Sequence, residues 1–323
     1  MPSRDRAQPA QTERTRLAPS PTGALHLGNA RTFLVNWALA RQHGWEILLR
    51  IEDLDTPRVK PGVEQRTINT LAWLGLDWNA GPVRQADDLE PYRDAMTRLA
   101  SSGMVYPCEL TRSQIEAAAS APQEGTHESR VTADMRPPRP WPSSFDDDGR
   151  NWRFATPGNS ITFHDIFAGA QQHTPAESVG DFVVWTKRNA PSYQLAVVVD
   201  DLRQGITQIV RGDDLLDSAA RQMLLARELG ATTVPTQCHL PLVLGHDGRR
   251  LAKRHGDTRL TTYEQMGVSA ERVIGLCAHW CGITAEPVPM SAADFADGLM
   301  LDTIPKHSIT FTPEDEQWLT HGT

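Results

Sequence analysis

The sequence predicts an α/β fold built on a parallel, nucleotide-binding sheet, and three observations carry the prediction. A short strand at 15–18, a loop, a helical stretch and an apolar run at 45–51 follow one another closely and make a βαβ unit. Such units set their strands parallel with a right-handed crossover. The loop, Pro19-Ser-Pro-Thr-Gly-Ala-Leu-His-Leu-Gly-Asn29, runs straight into the helix, and a helix N-terminus offers free N–H groups and a positive dipole end to a phosphate. A second strand–helix pair, at 207–211 and 215–229, follows a long irregular stretch, as in a sheet assembled from two separated halves.

Taken in order, residues 1–13 are polar, carry no apolar core of a secretory signal, and read as a flexible tail. After Gly28, the positions Ala30, Phe33, Leu34, Trp37, Ala38 and Ala40 have helical spacing, and Gly44 suits the left-handed residue that ends a helix. Helices are expected at 62–74 and 91–102, the second closed by Gly103. Composition shifts over 106–153, through an Ala-rich and polar stretch to Met135-Arg-Pro-Pro-Arg-Pro-Trp-Pro and Phe145-Asp-Asp-Asp-Gly-Arg150. That reads as a loop-rich, partly disordered insertion. A strand is expected at 194–199, another at 207–211, and then a helix at 215–229 carrying Leu216, Ala219, Ala220, Met223, Leu224 and Ala226. The organisation is a tail (1–13), two sheet halves (14–103 and 193–262) around an insertion (104–192), and a helical module (263–323).

The 323 residues are 39% hydrophobic and 22% charged, near globular averages, which excludes general disorder and fibrous repeats. No apolar run approaches the ~18–20 residues of a membrane helix, so no membrane partner is expected. Four irregularly spaced cysteines make no disulfide framework and fit a cytoplasmic protein, expected as a monomer. The net charge of −8 argues against a general nucleic-acid coat, since Lys and Arg drive phosphate binding. A local basic path does occur at Gly248-Arg-Arg-Leu-Ala-Lys-Arg-His255, although charge alone also fits a solvated loop.

Four motifs together resemble one family. Arg16-x-Ala-Pro-Ser-Pro-Thr-Gly-x-Leu-His26-Leu-Gly-Asn29, Leu49-Arg-Ile-Glu52-Asp-Leu-Asp55, Ser192-Tyr193-Gln-Leu-Ala-Val-Val-Val-Asp-Asp201 and Val210-Arg211-Gly-Asp-Asp-Leu-Leu216 are similar to motifs of the class I glutamyl-tRNA synthetases, in the same order. The resemblance runs from about Arg14 to Tyr263. It implies the Rossmann-type parallel sheet of class I aminoacyl-tRNA synthetases, with an inserted α+β module and a small helical C-terminal module. It also implies an ATP-dependent ligase that converts L-glutamate to glutamyl-adenylate. The chain stops where the family's anticodon-reading domain would start. In this it resembles a short branch that attaches glutamate to queuosine in the anticodon loop of tRNA(Asp). Charging of a tRNA 3′ end, or a non-catalytic RNA-binding relative, are the alternatives.

Carried onto matching positions, the family's glutamate contacts fall on Arg16, Ala18, Ser20, Glu52, Tyr193 and Arg211. The chemistry suits them: an arginine fork matches a carboxylate, Glu52 accepts from the substrate ammonium, and Tyr193 offers a hydroxyl. The resemblance places ATP on His26, Gly28, Asn29 and Lys253, with Mg2+, and gives Lys253 and His26 the catalytic stabilisation of charge at the α-phosphate. Three positions depart from the family: Asn29 replaces a histidine, Arg250 a lysine and Ala252 a serine. One lost hydrogen bond of this kind costs about 1 kcal/mol, a several-fold change in rate.

Relatives often hold zinc with a Cys-x-Cys pair, a Tyr and a third Cys. Here Tyr106-Pro-Cys108-Glu-Leu110 lacks the second cysteine, so no structural zinc is expected. Cys277 and Cys281, one helical turn apart, are expected as packed thiols, and Trp73, Trp78, Trp152 and Trp185 as packing residues. His164, His173, His239 and His307 have no motif context.

Overall fold

In a computed structural model, which describes residues 12–55, 61–111, 114, 130–249, 251 and 258–321, the chain opens with strand β1 (Arg14–Leu17). Helix α1 (Leu27–His43) follows and is enclosed on nearly every side, burying even Arg31 and Asn36. Asn36 explains the attachment of helix to strand. Its Oδ1 accepts from Thr15 Oγ1 (2.8 Å) and its Nδ2 donates to the Arg16 carbonyl (2.9 Å). Gly44, at φ 69°, ends α1 in the left-handed region. Strand β2 (Glu46–Ile51) returns parallel to β1. Helix α2 (Val63–Trp73) then leads to β3 (Ala80–Arg84), which completes a parallel sheet in the order β1-β2-β3, and α3 (Glu90–Ser101) follows.

The stretch read as irregular contains more regular structure than its composition suggested. It holds β4 (Val105–Cys108), β5 (Asn151–Phe154), β6 (Ile161–Asp165), β7 (Gly169–His173), the short α4 (Pro175–Ser178), β8 (Val183–Thr186) and β9 (Ala190–Pro191). Strands β4, β5, β8 and β9 form an antiparallel sheet. Short strands whose polar residues are paired with each other across a hairpin, such as Gln172 opposite Thr162, carry little apolar alternation to read. Of the stretch expected to be partly disordered, 112–113 and 115–129 are not among the described residues, and neither are residues 1–11 of the expected tail.

Residues 194–199 are not a strand. They lie in helix α5 (Tyr193–Arg203), capped by Ser192. Seven consecutive residues, Leu195 to Asp201, are buried, so no amphipathic period marks the helix, and a short apolar run cannot be told from a buried strand by pattern alone. Tertiary pairing decides it: Asp200 and Asp201 both reach Arg50, whereas a strand would send them to opposite faces.

Strand β10 (Gln208–Gly212), helix α6 (Leu216–Glu228) and strand β11 (Thr236–Leu240) follow. The amide of Thr207 donates to the Arg14 carbonyl (2.9 Å), setting the start of β10 beside β1. β10 and β11 are parallel, with β6 and β7 beyond them in the order β10-β11-β6-β7. The chain finishes with β12 (Val243–Leu244), α7 (Leu260–Gln265), α8 (Ala270–Trp280), α9 (Ala292–Gly298), β13 (Ile309–Thr310) and α10 (Pro313–His321). One apolar core surrounds α1 and takes in Cys277 and Cys281, both fully buried. A second surrounds α5 and takes in Trp152 and Trp185, while Trp73 and Trp78 pack half-buried on the first. Among the described residues no helix is long and apolar enough to cross a membrane.

Candidate active site

The carboxyl ends of β1, β2 and β10 converge on a cavity of about 360 Å³, the place where open parallel sheets bind ligands. Arg16, Ala18, Glu52, Tyr193 and Arg211 all line it, with Phe33 of α1 closing one side. Five of the six positions matched to glutamate contacts are therefore brought together from four separate elements. Ser20 is not in the lining. It is exposed on the loop after β1, 3.4 Å from the Thr22 hydroxyl. That loop is tied to the end of β2 by the Glu52 amide, which donates to the Pro19 carbonyl (3.0 Å).

A buried charge network stands behind the cavity. Arg50, 0% exposed, donates through Nη1 to Asp201 Oδ1 (2.7 Å) and through Nη2 to Glu52 Oε1 (3.3 Å). Asp201 Oδ1 also receives Arg16 Nε (3.2 Å). Burial would raise Asp201, but Arg16 and Arg50 outweigh it and hold the carboxyl below its ordinary range. Glu52 goes the other way: burial lifts it above the ordinary value despite Arg50 and Arg16. Arg50 and Asp201 thus set the positions of Glu52 and Arg16. Sequence reasoning gave neither a role, although a charge in the middle of an apolar strand, Leu49-Arg50-Ile51, was the available signal.

Arg211 is held differently. Its Nε donates to His239 Nε2 (2.9 Å), Nη1 to Gln222 Oε1 (2.8 Å), and Nη2 lies 3.5 Å from Gln237 Oε1. Among the described residues no carboxylate lies within the 4.0 Å of an ion pair. Gln222 is braced in turn by Gln194, and Gln194 by Ser218. His239, without motif context in the sequence, is 1% exposed and 2.6 Å through Nδ1 from Asp165 Oδ2. Tyr193, 40% exposed, presents its ring at the mouth of the cavity. The site therefore offers two arginines of different character: one in direct contact with a carboxylate, the other hydrogen-bonded to His239, Gln222 and Gln237, with Asp201 acting on it from beyond ion-pair distance.

Three of the four positions expected to bind the nucleotide, His26, Gly28 and Asn29, lie together at the start of α1. His26 is the N-cap, extended at φ −118° and ψ 172°, and its amide donates to Asn29 Oδ1 (3.0 Å). The departure to Asn29 is thus used in capping, with its NH2 left as a donor. A Cβ on Gly28 would stand 3.2 Å from His26 Cε1 and Nδ1, so a glycine is what lets the imidazole lie over the helix start. Lys253, like Arg250, Ala252 and most of the basic path, lies outside the described residues. The flanks of that segment lie next to the start of α1. Val243 stands against Gly28, and the Leu27 amide donates to the Thr258 carbonyl (3.2 Å).

Cys108, Cys238, Cys277 and Cys281 are free and buried. Among the described residues no group of three or more His, Cys, Asp or Glu side chains is placed to hold a metal ion.

Comparison with known proteins places this geometry in context. The profile of the family described as tRNA synthetases class I (E and Q), catalytic domain, matches residues 13–287. A protein of Symbiobacterium thermophilum named glutamyl-Q tRNA(Asp) synthetase is 43% identical over 326 aligned residues, 95% of this chain and 98% of the relative. A glutamate–tRNA ligase of Dechloromonas aromatica is 34% identical, over 95% of this chain and 66% of the ligase. Among solved structures, a glutamate tRNA ligase of Elizabethkingia meningosepticum in complex with its amino acid superposes with a TM-score of 0.78 at 25% identity, over 96% of this chain and 69% of that one.

Proposed function

The chain belongs to the class I tRNA synthetases of the E and Q type, and from that premise we propose that it activates L-glutamate with ATP and transfers it to queuosine in the anticodon loop of tRNA(Asp). The observation that carries the first half is the charge pattern of the cavity. Glutamate brings two carboxylates and one ammonium, and the cavity brings Arg16, Arg211 and Glu52. In activation a glutamate carboxylate oxygen attacks the α-phosphorus, the bond to the β-bridging oxygen breaks and pyrophosphate leaves. Charge gained at phosphorus is stabilised by fixed N–H donors and cations, the role assigned to His26, the α1 N-terminus and Lys253. Magnesium would arrive on the ATP phosphates and neutralise part of their charge. Arg16 and Arg211 orient the substrate, Glu52 accepts from its ammonium, and Tyr193 covers the mouth. An acceptor hydroxyl then attacks the mixed anhydride and AMP leaves. No covalent enzyme intermediate is needed, so no Ser or Cys nucleophile is assigned.

The choice of queuosine as acceptor is supported by the relatives: identity is higher and coverage more complete for the protein named for queuosine than for the glutamate–tRNA ligase. The cytoplasm, where tRNA is available, is the proposed location. The test is transfer of radiolabelled glutamate to queuosine-containing tRNA(Asp), followed by nuclease digestion to locate the label. Label in the anticodon fragment supports the reading. Label on the terminal adenosine of tRNA(Glu) replaces it with 3′-end charging, and RNA binding without transfer replaces it with a non-catalytic role.

A further inference from the structure

We propose that His239, locked by Asp165 in its Nδ1–H tautomer, is the positioning residue of the glutamate site: it fixes Arg211 through a neutral acceptor and so keeps the guanidinium charge available to a substrate carboxylate. This rests on the reading that Arg211 contacts glutamate.

The tautomer follows from donor and acceptor logic. A guanidinium has only donors, so the His239 Nε2 that meets Arg211 Nε at 2.9 Å carries a lone pair. The proton is then on Nδ1, which donates to Asp165 Oδ2 at 2.6 Å. Asp165 cannot drift, because its Oδ1 accepts from the amides of Phe167 (3.0 Å), Ala168 (2.7 Å) and His239 (3.2 Å). Asp165 ends β6 and His239 lies in β11, so a residue of the inserted stretch sets the orientation of a side chain in the sheet. All three are nearly inaccessible, at 0%, 1% and 6% exposure for Asp165, His239 and Arg211.

The neutrality of the brace is what distinguishes it. A carboxylate in the place of His239 would hold Arg211 as firmly and also cancel its charge, as Asp201 does for Arg16 and Arg50. The charged groups facing His239 are Asp165 from β6, Arg211 from β10 and, further off, Arg16 from β1. Burial, with the two arginines, holds His239 below the ordinary histidine value against the pull of Asp165, so the neutral form persists at physiological pH. Protonation would set an N–H against the Arg211 N–H and push the guanidinium off its brace.

The test compares His239→Leu, His239→Gln, Asp165→Asn and Arg211→Ala by glutamate-dependent ATP–pyrophosphate exchange, with thermal melting of each. Leucine keeps bulk and loses both hydrogen bonds. It should raise the glutamate KM about 10- to 100-fold, the range of a lost bond to a charged group, and leave the ATP KM within about two-fold. Glutamine can accept from Arg211 and donate to Asp165, and should restore most of the affinity. In Asp165→Asn the carbonyl oxygen stays with the three donating amides and the NH2 faces the imidazole, which must then accept at Nδ1 and carry its proton on Nε2 against Arg211, so the glutamate KM rises without a change in side-chain size. In the wild type the glutamate KM should climb on acidification through a limb that His239→Gln removes, while any limb from Glu52 persists in that variant. A folded His239→Leu protein with wild-type glutamate KM overturns the proposal, as does a glutamine variant no better than leucine. If leucine does not fold, an unchanged KM in Asp165→Asn overturns it equally. Should Arg211→Ala itself leave the glutamate KM unchanged, the underlying reading of the site fails instead.

Discussion

Replacing Asp201 by alanine asks whether one buried carboxylate organises both arginines behind the cavity at the ends of β1, β2 and β10. Asp201 Oδ1 receives Arg50 at 2.7 Å and Arg16 at 3.2 Å, and the three side chains are 8%, 0% and 5% exposed respectively. Removing one member of a buried ion pair costs about 3–5 kcal/mol. Arg50 keeps Glu52 at 3.3 Å and Asp200 at 4.0 Å, which favours the lower end, about 3 kcal/mol. At about 2 °C per kcal/mol for a chain of this length, melting should fall by about 6 °C. Function should change as well, since Arg50 would turn its charge onto Glu52 and Arg16 would lose its brace. We expect a glutamate KM about ten-fold higher or more, with the ATP KM nearly unchanged. The sign of the pH dependence is fixed by the depressed Asp201 carboxyl. Its stabilisation is present above the unfolded value of about 3.9 and is lost as pH falls through the lower folded value, so the gap in melting temperature should close in acid. Differential scanning fluorimetry across pH, with pyrophosphate exchange at neutral pH, reads both effects. A variant melting within about 1 °C of wild type at neutral pH, with unchanged glutamate KM, would refute the reasoning.

Three further outcomes are expected. Gly28→Ala puts a methyl 3.2 Å from the His26 ring and should raise the ATP KM about three-fold or more while sparing the glutamate KM, as initial rates over an ATP series will show. Lys253→Ala should lower kcat for pyrophosphate exchange about 100-fold or more, whereas a pure RNA binder would show only a smaller salt slope in RNA affinity. Because burial raises Glu52, its ionised form disappears at a higher pH than for an ordinary carboxylate. The glutamate KM should rise as pH falls into that range, and Glu52→Gln should give a higher KM without that limb.

How much of this was legible in the sequence depends on where the information resides. Strand β1, helix α1 and strand β2 were readable because apolar spacing, the Gly44 stop and the loop composition agree locally. The five cavity residues were found through motif likeness, since nothing in local pattern brings Arg16 next to Arg211. Helix α5 was misread because its burial on all sides erases the helical period. Asp165 and His239 were passed over for a related reason. They are 74 residues apart and neither stands in a recognisable motif, so their contact exists only once β6 and β11 share a sheet. Asp201 shows no role within its own motif, because its partners Arg16 and Arg50 are 185 and 151 residues away. The short strands of the insertion have too few apolar positions to declare themselves.

The central claim is that the cavity at the ends of β1, β2 and β10 activates glutamate through two arginines, one of them held by a neutral brace. ATP–pyrophosphate exchange with glutamate, glutamine and aspartate in turn, without RNA, tests it most directly. The account predicts exchange with glutamate and little with glutamine, whose neutral amide would leave one of the two buried arginines without its carboxylate, or with aspartate, which is one methylene shorter. Exchange with glutamine as fast as with glutamate, or none with any of the three, would contradict it.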